Sequence, residues 1–156
     1  MHTDDCLACG LSDGRIPLPG GLLHRTEGWL VEHCVGPPGV GTLLVKPERH
    51  VEHVADLTAG EAVEMGPLLQ LASQVVTELC RPDQVYVCLW SHAGFQPVHI
   101  HFVVQPVMSA DARLVGAAGP AYQSALFAAR AEPPVTAVEE FCERAKAEFA
   151  VRTMSG

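Results

Sequence analysis

The chain has 156 residues, 48% of them hydrophobic and 18% charged, which is the balance of an ordinary globular protein with one core. A formal net charge of −8, from 10 Lys and Arg against 18 Asp and Glu, argues against a basic nucleic-acid-binding surface. No run approaches the roughly 20 apolar residues of a membrane span, and Met1-His2-Thr3-Asp4-Asp5 is acidic where a signal peptide is basic. A cytoplasmic location is therefore expected, with the six cysteines as thiols or thiolates and not as a disulfide framework.

In chain order, Cys6-Leu7-Ala8-Cys9-Gly10 has the form of a metal knuckle, followed by loop residues as far as Gly20-Gly21. Two alternating runs, Leu22 to Thr26 and Trp29 to Val35, flank Glu27-Gly28 and predict a hairpin. Gly36-Pro37-Pro38-Gly39 is a loop, and Gly41 to Val45 a third strand ended by Lys46-Pro47. Thr58-Ala59-Gly60-Glu61 has capping-box spacing and opens a predicted helix to about Cys80. Its apolar face is expected through Val63, Leu68, Leu69, Leu71, Ala72, Val75, Val76 and Leu79, with a bend at Pro67. Gln84 to Trp90 and Val98 to Gln105 read as the fourth and fifth strands. Helical pieces follow between Ala110 and Ala131, broken at Gly116 to Pro120. A second capping box, Thr136 to Glu139, predicts a terminal helix to about Val151. Strands first, one long helix between strands, then helices make this an α+β chain, expected as a single domain over residues 1–156.

The fifth strand carries the most chemistry. His99, His101, Val103 and Gln105 fall on one side, Ile100, Phe102 and Val104 on the other, which is apolar and should face the core. Two imidazoles two residues apart on a strand stand about 6.6 Å apart, a spacing that suits one metal ligand and one reacting group. A neutral imidazole attacks phosphorus through one ring nitrogen while the other is held as a donor, so His101 is a candidate nucleophile. Ser91, His92, Gly94 and Gln96, just before the strand, are candidate donors to phosphate oxygens.

Structural zinc wants four Cys or His ligands, and Cys6 and Cys9 supply two. With no second C-x-x-C, histidines must complete the shell: His50 and His99 are candidates, with His53, His2 and His24 as competitors. The opposing reading is a redox dithiol or two packed thiols. Cys34, Cys80, Cys88 and Cys142 are expected as packed thiols, and Trp29, Trp90 and Phe102 as core or dimer contacts.

Four pieces together carry a family resemblance: Cys6 with Cys9, Gly41-Thr-Leu-Leu-Val-Lys-Pro-Glu-Arg-His50, Val54-Ala-Asp-Leu57, and His99-Ile-His-Phe-Val-Val-Gln-Pro106. Over about residues 6–106 the chain resembles the histidine triad (HIT) superfamily of small α+β nucleotidyl hydrolases and transferases. The resemblance implies an antiparallel five-stranded sheet with a long central helix, here followed by a C-terminal helical extension over residues 107–156. It implies a structural zinc on Cys6, Cys9, His50 and His99. It also implies that His101 is the nucleophile, attacking an α-phosphate to give a nucleotidyl-histidine intermediate that water, phosphate or a phosphorylated acceptor then resolves. The implied partners are a nucleoside phosphate or dinucleoside polyphosphate and a second copy of the chain, with no nucleic acid and no membrane.

The departures from the family pattern are specific. Val103 stands where the third histidine belongs, and Gln105 on the same face or His92 is the candidate stand-in. Val31-Glu32-His33-Cys34-Val35 holds no clear counterpart of the family's ribose-binding aspartate, and Trp90 to Phe95 replaces the usual phosphate loop. Val103 therefore motivates a rival reading, a catalytically degenerate nucleotide- or partner-binding module with the same zinc site.

Overall fold

A computed structural model describes residues 5–93 and 96–154, and residues 92, 93, 96 and 97 by backbone alone. These residues form a five-stranded antiparallel sheet flanked by helices, an α+β architecture. The elements are α1 (Leu7–Ser12), β1 (Leu22–Arg25), β2 (Trp29–His33), β3 (Leu43–Pro47), α2 (Ala59–Cys80), β4 (Gln84–Ala93), β5 (Gln96–Val107), α3 (Ser109–Val115), α4 (Pro120–Ala129) and α5 (Val135–Met154). A 3-10 turn, Val54–Asp56, lies between β3 and α2. The spatial order β1-β2-β3-β5-β4 puts β3 and β5 side by side in the middle, so His99 and His101 lie next to the strand that leads to His50.

Helix α2 forms where its cap and its periodicity agree. The Thr58 hydroxyl accepts from the Glu61 backbone N–H at 3.2 Å, and the Glu61 carboxylate accepts from the Thr58 N–H at 2.7 Å. Leu68, Ala72, Val75 and Val76 then recur at helical spacing and are buried, each Leu or Val contributing about 1.5–3 kcal/mol if fully buried. The helix runs unbroken through Pro67 and stops at Arg81, whose positive φ of 49° ends the ladder. Val63, expected on the buried face, is 75% exposed. It precedes Leu68 by five residues, which at 3.6 residues per turn is roughly 140° around the helix and outward.

The core fills the space between the sheet and α2 with α5: Trp29, Val31, Leu43, Val45 and Val104 meet Leu68, Val75, Val76, Phe141, Ala145 and Phe149. Ile100 and Val104 are buried as their alternation requires. The opposite face of β5 is covered too, since His99, Val103 and Gln105 are all buried. Charged and polar groups on that face must therefore find partners in the protein.

Several boundaries differ from the sequence reading. The knuckle segment and the first residues of the expected loop after it form a short helix, Leu7–Ser12, with the Gly10 N–H donating to the Cys6 carbonyl and the Asp13 N–H to the Cys9 carbonyl. Strand β3 starts two residues later and includes Lys46 and Pro47, which pair with Leu30 and Trp29. Gly41, at φ 91°, belongs to the preceding turn. Strands β4 and β5 extend as a longer hairpin, and α5 begins at Val135, so Thr136 lies inside the helix and is not its cap. The break between α3 and α4 falls where Gly116 and Pro120 predict it.

Candidate metal centre and cleft

Cys6, Cys9, His50 and His99 converge from three parts of the chain, with one ligand atom from each lying within 4.8 Å of the others. The start of α1 brings the two thiols, the loop after β3 brings His50, and β5 brings His99. The Cys9 sulfur lies 3.3 Å from His50 Nδ1 and 3.5 Å from His99 Nδ1. A tetrahedral ion with bonds of about 2.0–2.3 Å spaces its donors by roughly 3.3–3.8 Å, so the donor set fits one.

The outer hydrogen bonds fix which nitrogen faces inward. His99 Nε2–H donates to the Pro47 carbonyl at 2.9 Å, and His50 Nε2–H to the Glu52 carboxylate at 3.3 Å. Both acceptors lack a proton to give, so each ring keeps its Nδ1 lone pair toward the sulfurs, as metal-binding histidines do. Burial pushes the His99 imidazole down to about 4, opposed by the Pro47 hydrogen bond, so the lone pair is present at neutral pH. Arg49 steadies the loop carrying His50: its guanidinium donates to both Glu61 oxygens, at 3.1 and 2.8 Å, and to the Asp56 carbonyl at 2.8 Å.

Beside this cluster lies a cleft of about 470 Å³, bordered by His101 and Val103 on β5, Trp90 on β4, Leu44 and Lys46 on β3, and Glu32 on β2. His101 Nδ1–H donates to the His99 carbonyl at 3.1 Å, which leaves the lone pair on Nε2. Burial holds this imidazole below its ordinary value. Trp90 stands between His101 and Phe127 of α4, at ring-centre distances of 6.3 and 4.7 Å.

On the far side of the cleft the Lys46 ammonium donates to Glu32 Oε1 at 2.6 Å and to the Ala8 carbonyl at 2.7 Å. Both side chains are buried, and burial raises the Glu32 carboxyl above its ordinary value while Lys46 pulls it back. Cys34, at the end of β2, also borders the cleft, and burial beside Glu32 pushes its thiol up to about 12, so it is an unreactive thiol.

The other expected site residues are distributed unequally. Gly94 and the side chains of His92 and Gln96 lie outside the described residues, as does the competitor His2. Ser91 continues β4, where the register shifts between Trp90 and His92. Gln105 is buried, accepts from Gln123 at 3.0 Å and donates to the carbonyl of the cleft-lining Pro38 at 3.4 Å. Of the competitors for the metal, His24 stacks on Phe149 and His53 stays outside the cluster. Trp29 and Phe102 pack in the core, at 6.1 Å between rings, whereas Trp90 borders the cleft. The sequence reading missed Glu32, Lys46 and Phe127. A charge inside each of two otherwise apolar strands was the available signal for the first two.

No protein-family model matches the chain, and no curated protein matches it by sequence. Solved structures do match. A zinc-bound histidine triad family protein from Mycobacterium smegmatis has a TM-score of 0.70 at 20% identity, over 97% of this chain and 98% of that one. A HIT-like protein involved in cell-cycle regulation from Bartonella henselae follows at 0.69 and 17%, over 95% and 99%. A hypothetical histidine triad nucleotide-binding protein from Sulfolobus tokodaii gives 0.70 and 16%, over 94% and 93%. The chain therefore has the histidine triad fold along nearly its whole length, C-terminal helices included. Within that fold its Cys6, Cys9, His50 and His99 form a cluster able to hold a metal ion.

Proposed function

We propose that the chain is a histidine triad-type nucleotidyl hydrolase or nucleotidyltransferase, acting as one domain with His101 as nucleophile. The observation that carries this is the His101 tautomer: Nδ1–H is held by the His99 carbonyl, and Nε2 keeps its lone pair on a residue bordering the cleft. Nε2 attacks the α-phosphorus of a nucleoside phosphate or dinucleoside polyphosphate, forming a P–N bond while the bond to the leaving oxygen breaks with its electron pair. Water, phosphate or a phosphorylated acceptor then attacks the same phosphorus, the P–N bond breaks, and the lone pair returns to Nε2. Trp90 and Phe127 wall the cleft against water on one side. Gly94, Gln96, His92 and Ser91, which precede His99 in the sequence, are the candidate donors to the phosphate oxygens.

Zinc suits the cluster of two thiols and two imidazoles. When bound it supplies a structural cross-link between α1, the His50 loop and β5, with Cys6, Cys9, His50 and His99 as its ligands. The working form proposed is a cytoplasmic homodimer; no helix among the described residues is long and apolar enough to cross a membrane.

The test is chemical. Incubation with labelled mono- and dinucleotides followed by a quench in base should trap an acid-labile histidine adduct in the wild type and none in His101→Ala. Identical behaviour of the two proteins would sink the enzyme reading. Val103 favours the second reading, a nucleotide-binding module without turnover; that reading predicts binding without any adduct.

A further inference from the structure

Glu32 presents a problem that the catalytic reading does not solve. Its side chain is fully buried, yet only Oε1 is engaged, by Lys46; Oε2 is buried with no hydrogen-bond partner among the described residues. A buried carboxylate oxygen left bare is costly, on the order of 1–3 kcal/mol or more, so such atoms are normally met by a protein group, an ordered water or a bound group. Glu32 borders the same cleft as His101, in a lining that also includes the apolar Leu11, Leu44, Val35 and Pro38. A carboxylate–ammonium pair set in such a wall orients a ligand more than it attracts one.

The sheet fixes where that oxygen stands. Glu32 pairs with Leu44, and Leu44 with Val103, so the three form one row across β2, β3 and β5. With strands about 4.8 Å apart, Glu32 lies roughly 10 Å from the β5 backbone that carries His101. That is of the order of the reach of a nucleotide from its α-phosphorus to the far edge of its base. A nucleotide with its phosphorus at His101 would span this row, with its base over Leu44 and its edge toward Glu32.

We propose that Glu32 Oε2 is a base-selecting acceptor, which takes a hydrogen bond from the exocyclic amino group of the bound nucleotide and disfavours a keto oxygen at that position. This rests on the nucleotide reading above and deepens it. Lys46 is the positioning residue: by occupying Oε1 and anchoring to the Ala8 carbonyl it leaves Oε2 as the one free acceptor. A keto group there would face a carboxylate oxygen with no proton between them, and the mismatch leaves two buried acceptors opposed.

Glu32→Gln gives the decisive test, because it inverts the pattern at nearly constant shape. The amide oxygen must face the Lys46 ammonium, so the NH2 group takes the place of Oε2 and offers a donor. Binding of AMP against IMP, and of CMP against UMP, is measured by titration calorimetry on the zinc-loaded chain. Wild type should prefer the amino member of at least one pair by roughly ten- to hundredfold, the range of a hydrogen bond to a charged group. Glu32→Gln should abolish or reverse that preference. The double variant Glu32→Met, Lys46→Met removes both charges together and should flatten the preference, which covers a Glu32→Gln chain that fails to fold. Nucleotides that bind with the same ratio in wild type and variants overturn the assignment alone, and show that water satisfies Oε2. A wild type that binds no nucleotide overturns the assignment and the nucleotide reading together.

Discussion

The cluster of two thiols and two imidazoles makes a thermodynamic prediction that does not depend on activity. A bound ion ties together residues far apart in the chain, since Cys9 lies 41 positions from His50 and 90 from His99. The unfolded chain holds no such preformed site, so the binding free energy is available to folding. At a free zinc concentration of 100 times the dissociation constant, linkage stabilises the native state by about 2.7 kcal/mol. For a chain of this size each kcal/mol moves Tm by about 2–4 °C, so chelation should lower Tm by about 5–11 °C. Cys9→Ser is the matching perturbation, as it replaces the buried sulfur that stands between both Nδ1 atoms. Differential scanning fluorimetry with and without a chelator, on both proteins, reads the coupling. The chelator should cost the wild type several degrees and the variant nearly nothing, and elemental analysis should find about one zinc per wild-type chain. An equal shift in both proteins, or none in either, would refute the reasoning, and free reactive thiols at Cys6 and Cys9 would then favour a redox pair.

Two further outcomes concern the turn before β3. Gly41→Ala forces a side chain onto a φ of 91° and sets its Cβ 2.5 Å from the Cys80 sulfur. Left-handed strain of about 1–2 kcal/mol and overpacking of about 1–3 kcal/mol should together lower stability by about 2–5 kcal/mol in urea unfolding. His33 Nδ1–H donates to the Cys34 carbonyl at 2.8 Å, and its Nε2 accepts the Gly41 N–H at 2.9 Å, so the folded state holds the ring neutral. Burial keeps its pKa below the ordinary 6.5, so the unfolded chain takes up a proton that the folded chain refuses. Its contribution is intact above that value and lost as pH falls below it, by up to about 1.4 kcal/mol per pH unit. A His33→Gln variant compared by urea midpoints at pH 8, 6.5 and 5 should show a shallower loss, and parallel curves would exclude the effect.

What the sequence revealed follows from how local each signal is. Helix α2 was legible because its cap and its apolar period lie within one stretch, and β5 because Ile100, Phe102 and Val104 alternate with histidines. Cys6, Cys9, His50 and His99 were legible only through the joint spacing of four separated pieces. Helix α1 was hidden, since six residues with no side-chain cap carry no period to read. Helix α4 was legible as an element but not as a wall of the cleft. Its Gln123 and Phe127 acquire meaning only from the Gln105 and Trp90 they meet. The Glu32–Lys46 pair was hidden for the same reason: the two charges become partners only once β2 and β3 are in register.

The same long-range packing decides what Val103 means. Four alternating positions on one face of β5 have four different surroundings. His99 joins the cysteines, His101 borders the cleft, Val103 pairs across to Leu44 and Cys88, and Gln105 is tied to Gln123 of α4. Val103 is 1% exposed and borders the cleft beside His101, where it offers neither a donor nor an acid. Gln105 is hydrogen-bonded to Gln123 of α4 and to the Pro38 carbonyl. Under the proposed mechanism position 103 therefore offers no imidazole acid to the leaving group. A nucleophile without such an acid works best when the departing oxygen is stable as an anion, as in a phosphoanhydride, and poorly when it leaves as an alkoxide. Under the proposed mechanism Val103 restricts which bond His101 breaks, and under the proposed base selection Glu32, two strands away in the same row, restricts which base is held.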